Sequence, residues 1–340
     1  MHTFFQLRLL PLAAATSLLL GACGGGGGGS PAPAAPAVSQ ASALTVISST
    51  NSTPVAANAY LAGESLTSAS SQSTSFVTGV TLDSTTAGAV TTALDLFGLA
   101  SGTVQNIVTG VTQTQACPGG GSITLSGTRA SSTVLSAGDV FTITSSACVI
   151  NGSTITGALG IALNSLSGTV SATTPWSANL GLTFTNFGAT GATESASFDG
   201  DMTLAVSQQN SSNATVGLSG TKLHAVTKRN GTVVADKTLS AFSGTAALAG
   251  STVTTTTNYT LTGATPALAS FNVTVKTLAP FVRTVGAFPS GGSAIISGTA
   301  SSVTMTAIDA TNVRLDYSAK GDGVITQSTV VTWAALKGAA

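Results

Sequence analysis

The chain has 340 residues, of which 43% are hydrophobic, 6% charged and 5% aromatic, and its formal net charge is zero. That length suffices for a sizeable core, and a neutral chain offers no bulk electrostatic attraction for nucleic acid. So low a charge, with abundant Ser and Thr, is not the charged, proline-rich composition of disorder, and Thr, Val and Ile favour the pleated, half-buried surface of strands.

At the N-terminus a short segment carrying Arg8 leads into an apolar run, residues 9–20, broken only by Thr16 and Ser17. About a dozen apolar residues are too few to cross the ~30 Å hydrocarbon core of a bilayer, and the layout is that of an export signal. Leu20-Gly21-Ala22-Cys23 follows, then the glycines 24–29 and Ser30-Pro31-Ala32-Pro33. The first four of these residues resemble the bacterial lipobox, which implies cleavage before Cys23, diacylation of its thiol and acylation of the new amino group. Two or more acyl chains, at about 0.8 kcal/mol per buried CH₂, make a stable anchor. Gly24 stands where an aspartate would favour retention at the inner membrane, so the resemblance points to a Gram-negative outer membrane, with the periplasmic or cell-surface face left open. The glycine and Pro/Ala segments make a flexible tether followed by a stiffer one. This tether is similar to those of the transferrin-binding and factor-H-binding surface lipoproteins, a likeness confined to about the first 35 residues. The expected division is therefore a signal peptide over 1–22, a lipidated cysteine with its tether over 23–40, and one β-rich domain over 41–340.

After a short extended segment over 41–50, Thr53-Pro54 offers a helix start, with Val55, Ala59, Tyr60, Leu61 and Leu66 as a weak apolar stripe. A second helix is expected over 86–100, where Val90, Leu94, Phe97 and Leu99 lie near one face. Past Val104 the period becomes two, as in Ile155, Leu159, Ile161 and Leu163, in Leu180, Leu182 and Phe184, and in Phe271, Val273 and Val275. Turn signals separate these runs at Gly138-Asp139, Asn151-Gly152, Asn230-Gly231 and Gly321-Asp322-Gly323. The expected fold is mainly β, a long antiparallel curved sheet or open barrel with one or two short helices near the N-terminus. Ser-Gly-Thr recurs from Ser101, Ser126, Ser167, Ser219, Ser243 and Ser297, with glycines placed to bend strands. A membrane-spanning barrel is disfavoured by the scarcity of aromatic residues for interfacial girdles.

In an oxidising periplasm Cys117 and Cys148 read as a disulfide. Catalytic signals are thin. Beyond His2 in the signal segment the chain has one histidine, His224, on an alternating run with Lys222 and Lys228, and an exposed strand position is expected for it. Asp199 and Asp201 share one strand face, suited to calcium or acid-base work but more simply to a solvated face. Asp316 with Gly321-Asp322-Gly323 is similar to a calcium loop that lacks intermediate ligands, so a hairpin turn is expected. No metal, cofactor or catalytic residue is expected. Acidic residues dominate from Glu64 to Asp201 and basic ones from Lys222 to Arg283, an asymmetry that solvated strand faces explain more simply than an interaction face.

The stretch from 313 to 336, and Gly138-Asp139 followed by a strand and Cys148, resemble parts of a functionally uncharacterised group of β-rich Gram-negative lipoproteins. The resemblance brings no activity with it. The expected function is non-enzymatic: an outer-membrane lipoprotein, bound to the membrane through Cys23, with an envelope structural or binding role. Two alternatives stand beside it: a carrier of a hydrophobic ligand on a concave sheet face, and a surface adhesin or host-binding protein.

Overall fold

Alternation along the chain becomes pairing of each strand with the next. The computed structural model describes residues 43–67, 112–129, 136–150, 152–168 and 174–340. Its strands are β1 (Gln113–Ala116), β2 (Ser122–Thr128), β3 (Val140–Ile150), β4 (Ser153–Ser167) and β5 (Trp176–Thr190). They continue as β6 (Glu194–Asn210), β7 (Asn213–Arg229), β8 (Thr232–Ala249), β9 (Thr252–Thr265) and β10 (Leu268–Thr284). The last four are β11 (Gly291–Gly298), β12 (Ser301–Ala307), β13 (Asn312–Ser318) and β14 (Gln327–Thr332). All 14 form one antiparallel sheet in sequence order, open between β1 and β14. Two-residue turns join β6 to β7, β7 to β8, β8 to β9, β9 to β10 and β11 to β12 in this meander. At Asn230-Gly231 both residues have positive φ, 49° and 79°, the conformation whose twist matches the strands it joins.

Helix α1 (Ser52–Thr67) packs against β7, β8, β9, β10, β12 and β13. It begins two residues earlier than Thr53-Pro54 suggests. Asn51 accepts the first helical hydrogen bond, from Val55 N at 3.0 Å, and so holds the cap position. Pro54 falls in the first turn, where its missing N–H leaves nothing unsatisfied. Residues 55–62 are all buried, so α1 is enclosed nearly all round rather than laid on the sheet by one stripe. The segment before it is extended and tied to the sheet: Thr45 N donates to Asn272 O at 2.8 Å and Ile47 N to Ser301 Oγ at 2.8 Å.

The expectation that helices lie only near the N-terminus is corrected by α2 (Trp333–Lys337), which follows β14. Thr332 caps it, accepting from Ala335 N at 3.1 Å. The signal is local, but a strand-like Val-Val-Thr-Trp run conceals it. The second N-terminal helix expected over 86–100 lies outside the described residues.

A line of irregular positions crosses the sheet. Pairing registers shift near the middle of β3, β4, β5, β6, β8 and β10, and positive φ occurs along this line at Ala147, Gly157, Asn186, Gly200 and Ala241. Bulges of this kind bend a strand and sharpen its twist. Two of them demand glycine outright. A Cβ on Gly157 would stand 2.0 Å from Asn186 O, and one on Gly200 would stand 2.0 Å from Lys222 O. The Ser-Gly-Thr repeats are a partial guide: Ser219 and Ser243 adjoin register shifts, whereas Ser126 and Ser297 sit in unbroken pairing.

Candidate functional site

Asp199, Asp201, His224, Asp316 and Asp322 are each hydrogen-bonded within the fold. Asp199 Oδ1 accepts from Asn186 N at 2.6 Å, across the bulge where Asn186 has positive φ. Asp201 accepts from Thr221 N at 2.9 Å and from the Thr221 hydroxyl at the neighbouring bulge of β7. The two carboxylates therefore clamp backbone N–H groups that the register shifts set free from the ladder. Burial raises the Asp201 pKa, but the hydrogen bonds from Thr221 and Lys222 outweigh it and hold the carboxyl below its ordinary value.

His224 is half-buried, not simply exposed, and its Nε2 lies 2.9 Å from Asp236 Oδ1. The partner could not be read from spacing, because it depends on the register that sets β7 beside β8. Asp316 accepts from Arg314 Nε at 2.8 Å and from Ser328 Oγ at 2.7 Å. Asp322 instead accepts from Val324 N at 3.0 Å within its own turn, so the two do not converge. Among the described residues no group of three or more His, Cys, Asp or Glu side chains could hold a metal ion.

Cys117 and Cys148 are disulfide-bonded, with Cα atoms 5.4 Å apart. The bond ties the loop after β1 to β3. Cys23 lies outside the described residues. No helix of the described residues is long and apolar enough to cross a membrane.

The polar cluster that sequence reading missed lies where α1, β9, β10 and α2 meet. Tyr60 and Glu64, four apart on α1, point to one side of the helix. Arg283 enters from β10 and Lys337 from α2. Lys337 Nζ lies 3.0 Å from Glu64 Oε2, and Arg283 Nη1 lies 4.0 Å from Glu64 Oε1. The side chains of Glu64 and Arg283 are 11% and 12% exposed, dry enough for these charges to act on one another strongly. Lys337 also stands 5.8 Å from the ring centre of Phe288, a cation–π geometry. Burial, then the Glu64 charge, pushes the Tyr60 hydroxyl pKa well up, with Arg283 opposing, and burial does the same to Tyr259. Tyr259 donates to Ala59 O of α1. A Cβ on Gly63 would stand 3.2 Å from the Tyr259 hydroxyl oxygen, so glycine there admits the close approach.

Trp333 packs beside this cluster. Its Nε1 donates to Pro289 O at 3.0 Å and to Asp309 O at 3.1 Å, and its ring meets Tyr60, Phe281 and Phe288. Beside them lies a cavity of about 40 Å³, whose polar lining comes from Tyr60, Glu64, Thr255, Thr257, Tyr259 and Arg283. That volume holds roughly three waters, at about 10–15 Å³ each. A larger dent of about 270 Å³ at the turn between β9 and β10 is lined by Val233, Val234, Ala264, Thr265, Pro266 and Ala269. It offers one hydroxyl and no charge, so the smaller cavity has the chemistry.

The only sequence signal for this cluster was Glu64 and Arg283 bounding the acidic and basic stretches. Nothing in that asymmetry joins α1 to β10. No family model, curated protein or solved structure matches this chain.

Proposed function

We propose that this protein is a non-enzymatic, lipid-anchored outer-membrane lipoprotein, held through acyl chains on Cys23, whose sheet curls around its own helix and serves as an envelope structural or binding element. One observation carries the non-enzymatic part: Asp199 and Asp201 are bonded to the backbone of neighbouring strands at bulges. They hold the sheet in shape, a different task from meeting a substrate. The binding role draws support from the outward row of β9, where Thr254, Thr256, Asn258, Thr260 and Thr262 stand on one face. Such a row presents hydroxyl and amide groups without charge. Thr256 and Thr245 of β8 already bond across the row at 2.6 Å.

A carrier of a long hydrophobic ligand finds less support. The space such a ligand would take on the inner face of β7–β13 is filled by α1, and the cavity left is about 40 Å³.

Metabolic labelling with a palmitate analogue, followed by density-gradient separation of envelope membranes, tests the proposal. The wild-type chain takes up label and sediments with the outer membrane, and Cys23→Ser abolishes both. An unlabelled wild-type protein in the soluble periplasmic fraction overturns the reading. Protease shaving of intact cells then separates a periplasmic body, which stays protected, from a surface-displayed one.

A further inference from the structure

Arg283 brings more donor capacity to the cavity than the protein uses. Its Nη2 is buried without a hydrogen-bond partner among the described residues. Its Nη1 stops 4.0 Å from Glu64 Oε1, beyond hydrogen-bond range. The carboxylate that would close this gap is held from the other side, since Lys337 Nζ takes Glu64 Oε2 at 3.0 Å. Two cations thus share one carboxylate, and a guanidinium kept from water with unmet donors is destabilising. The rest of the lining includes the apolar side chains of Val275, Phe281, Ala294 and Met305.

We propose that this cavity is a binding site for a small monocarboxylate, with its two oxygens on the Arg283 guanidinium and its short alkyl part against Phe281 and Met305. Three features select that ligand class. A guanidinium offers a planar fork of donors that a carboxylate matches with two parallel hydrogen bonds. Arg283, Lys337 and Glu64 together leave one unit of positive charge, which a monoanion neutralises. A multiply charged anion would overshoot and meet the Glu64 carboxylate. Size is the third. A cavity of about 40 Å³ has room for roughly three or four water-sized groups, at about 10–15 Å³ each, which admits an acid the size of acetate and excludes longer acyl chains.

Isothermal titration of the full chain carrying Cys23→Ser, with sodium acetate at fixed ionic strength and sodium chloride as the reference anion, tests this site. Saturable binding of acetate at one site per chain is expected, with chloride giving none. Arg283→Gln is expected to weaken acetate by about tenfold or more, the usual scale for losing a charge-assisted pair. Arg283→Lys keeps the charge that Glu64 faces, and so guards against a simple folding defect. It loses the planar fork, and a loss of about tenfold is again expected. No saturable heat with the unsubstituted Arg283 means that ordered water alone fills the cavity, and overturns the proposal. Equal binding of chloride overturns the carboxylate assignment, and acetate binding unchanged in Arg283→Lys overturns the site.

Discussion

The indole ring of Trp333 lies 4.8 Å from the ring of Tyr60, tilted by 37°, joining the helix that follows the last strand to the helix that precedes the first. Trp333 is fully buried and its Nε1 is shared between two carbonyls from the segments after β10 and β12. One side chain therefore fastens α1, α2 and two hairpin ends together.

Trp333→Ala is accordingly expected to destabilise the protein by about 3–5 kcal/mol, the range for removing a large buried aromatic side chain. Urea unfolding followed by far-UV circular dichroism measures the loss. A change below about 1 kcal/mol would mean that α2 does not close the fold.

The bulge at Gly157 gives a second expectation. With φ at 88° and a Cβ that would stand 2.0 Å from Asn186 O, alanine there combines left-handed strain with a backbone overlap. A loss of about 2–4 kcal/mol follows. Gly231→Ala is the contrast: its φ is 79° but no atom lies within 4 Å of the added Cβ, so only the conformational part, about 1–2 kcal/mol, is expected. Equal losses at the two sites would remove the packing argument for the bulge line.

Reduction of the Cys117–Cys148 bond opens a loop whose ends are separated by 31 residues. On chain entropy alone the folded state loses roughly 3.5–4 kcal/mol. The expected result is a lower denaturant midpoint with dithiothreitol and no such shift in a Cys117→Ser, Cys148→Ser double variant. A non-reducing peptide map that finds both thiols free removes the basis for the prediction.

Acid stability follows from Asp201. Its folded pKa is depressed by hydrogen bonds from Thr221 and Lys222, below an unfolded value of about 3.9. A depressed carboxyl contributes stability above its unfolded pKa and loses that contribution as pH falls through the folded one. Asp201→Asn should therefore lower stability at neutral pH and flatten its fall below about pH 4. Thermal unfolding midpoints of both forms from pH 7 down to pH 2.5 check this, and parallel curves would place the acid sensitivity elsewhere.

The strands were legible because alternation with period two is a local property, and one face of each strand is buried in the same pattern from β3 to β13. The Asn230-Gly231 hairpin was legible for the same reason, since two adjacent residues carry its positive φ. The bulge line was harder to read. At Ala147, Asn186 and Ala241 ordinary L-residues take a left-handed conformation because cross-strand partners impose it, as Asp199 does on Asn186 N. Misreading α2 has a similar origin. Val-Val-Thr-Trp has strand propensity, and the burial of Trp333 among Tyr60, Phe281 and Phe288 overrides it.

By itself the sequence determined the mainly β class, the hairpin order, the helix near Pro54 and the pairing of Cys117 with Cys148, because each rests on local periodicity, turn chemistry or cysteine count. Tertiary structure alone decided that Tyr60, Glu64 and Arg283 line one cavity, with Lys337 paired to Glu64 and Trp333 packed on Tyr60. It also decided that His224 faces Asp236. Such convergence depends on register and on the path of the chain across 14 strands, and those are fixed only when the inner faces of distant strands bury one another.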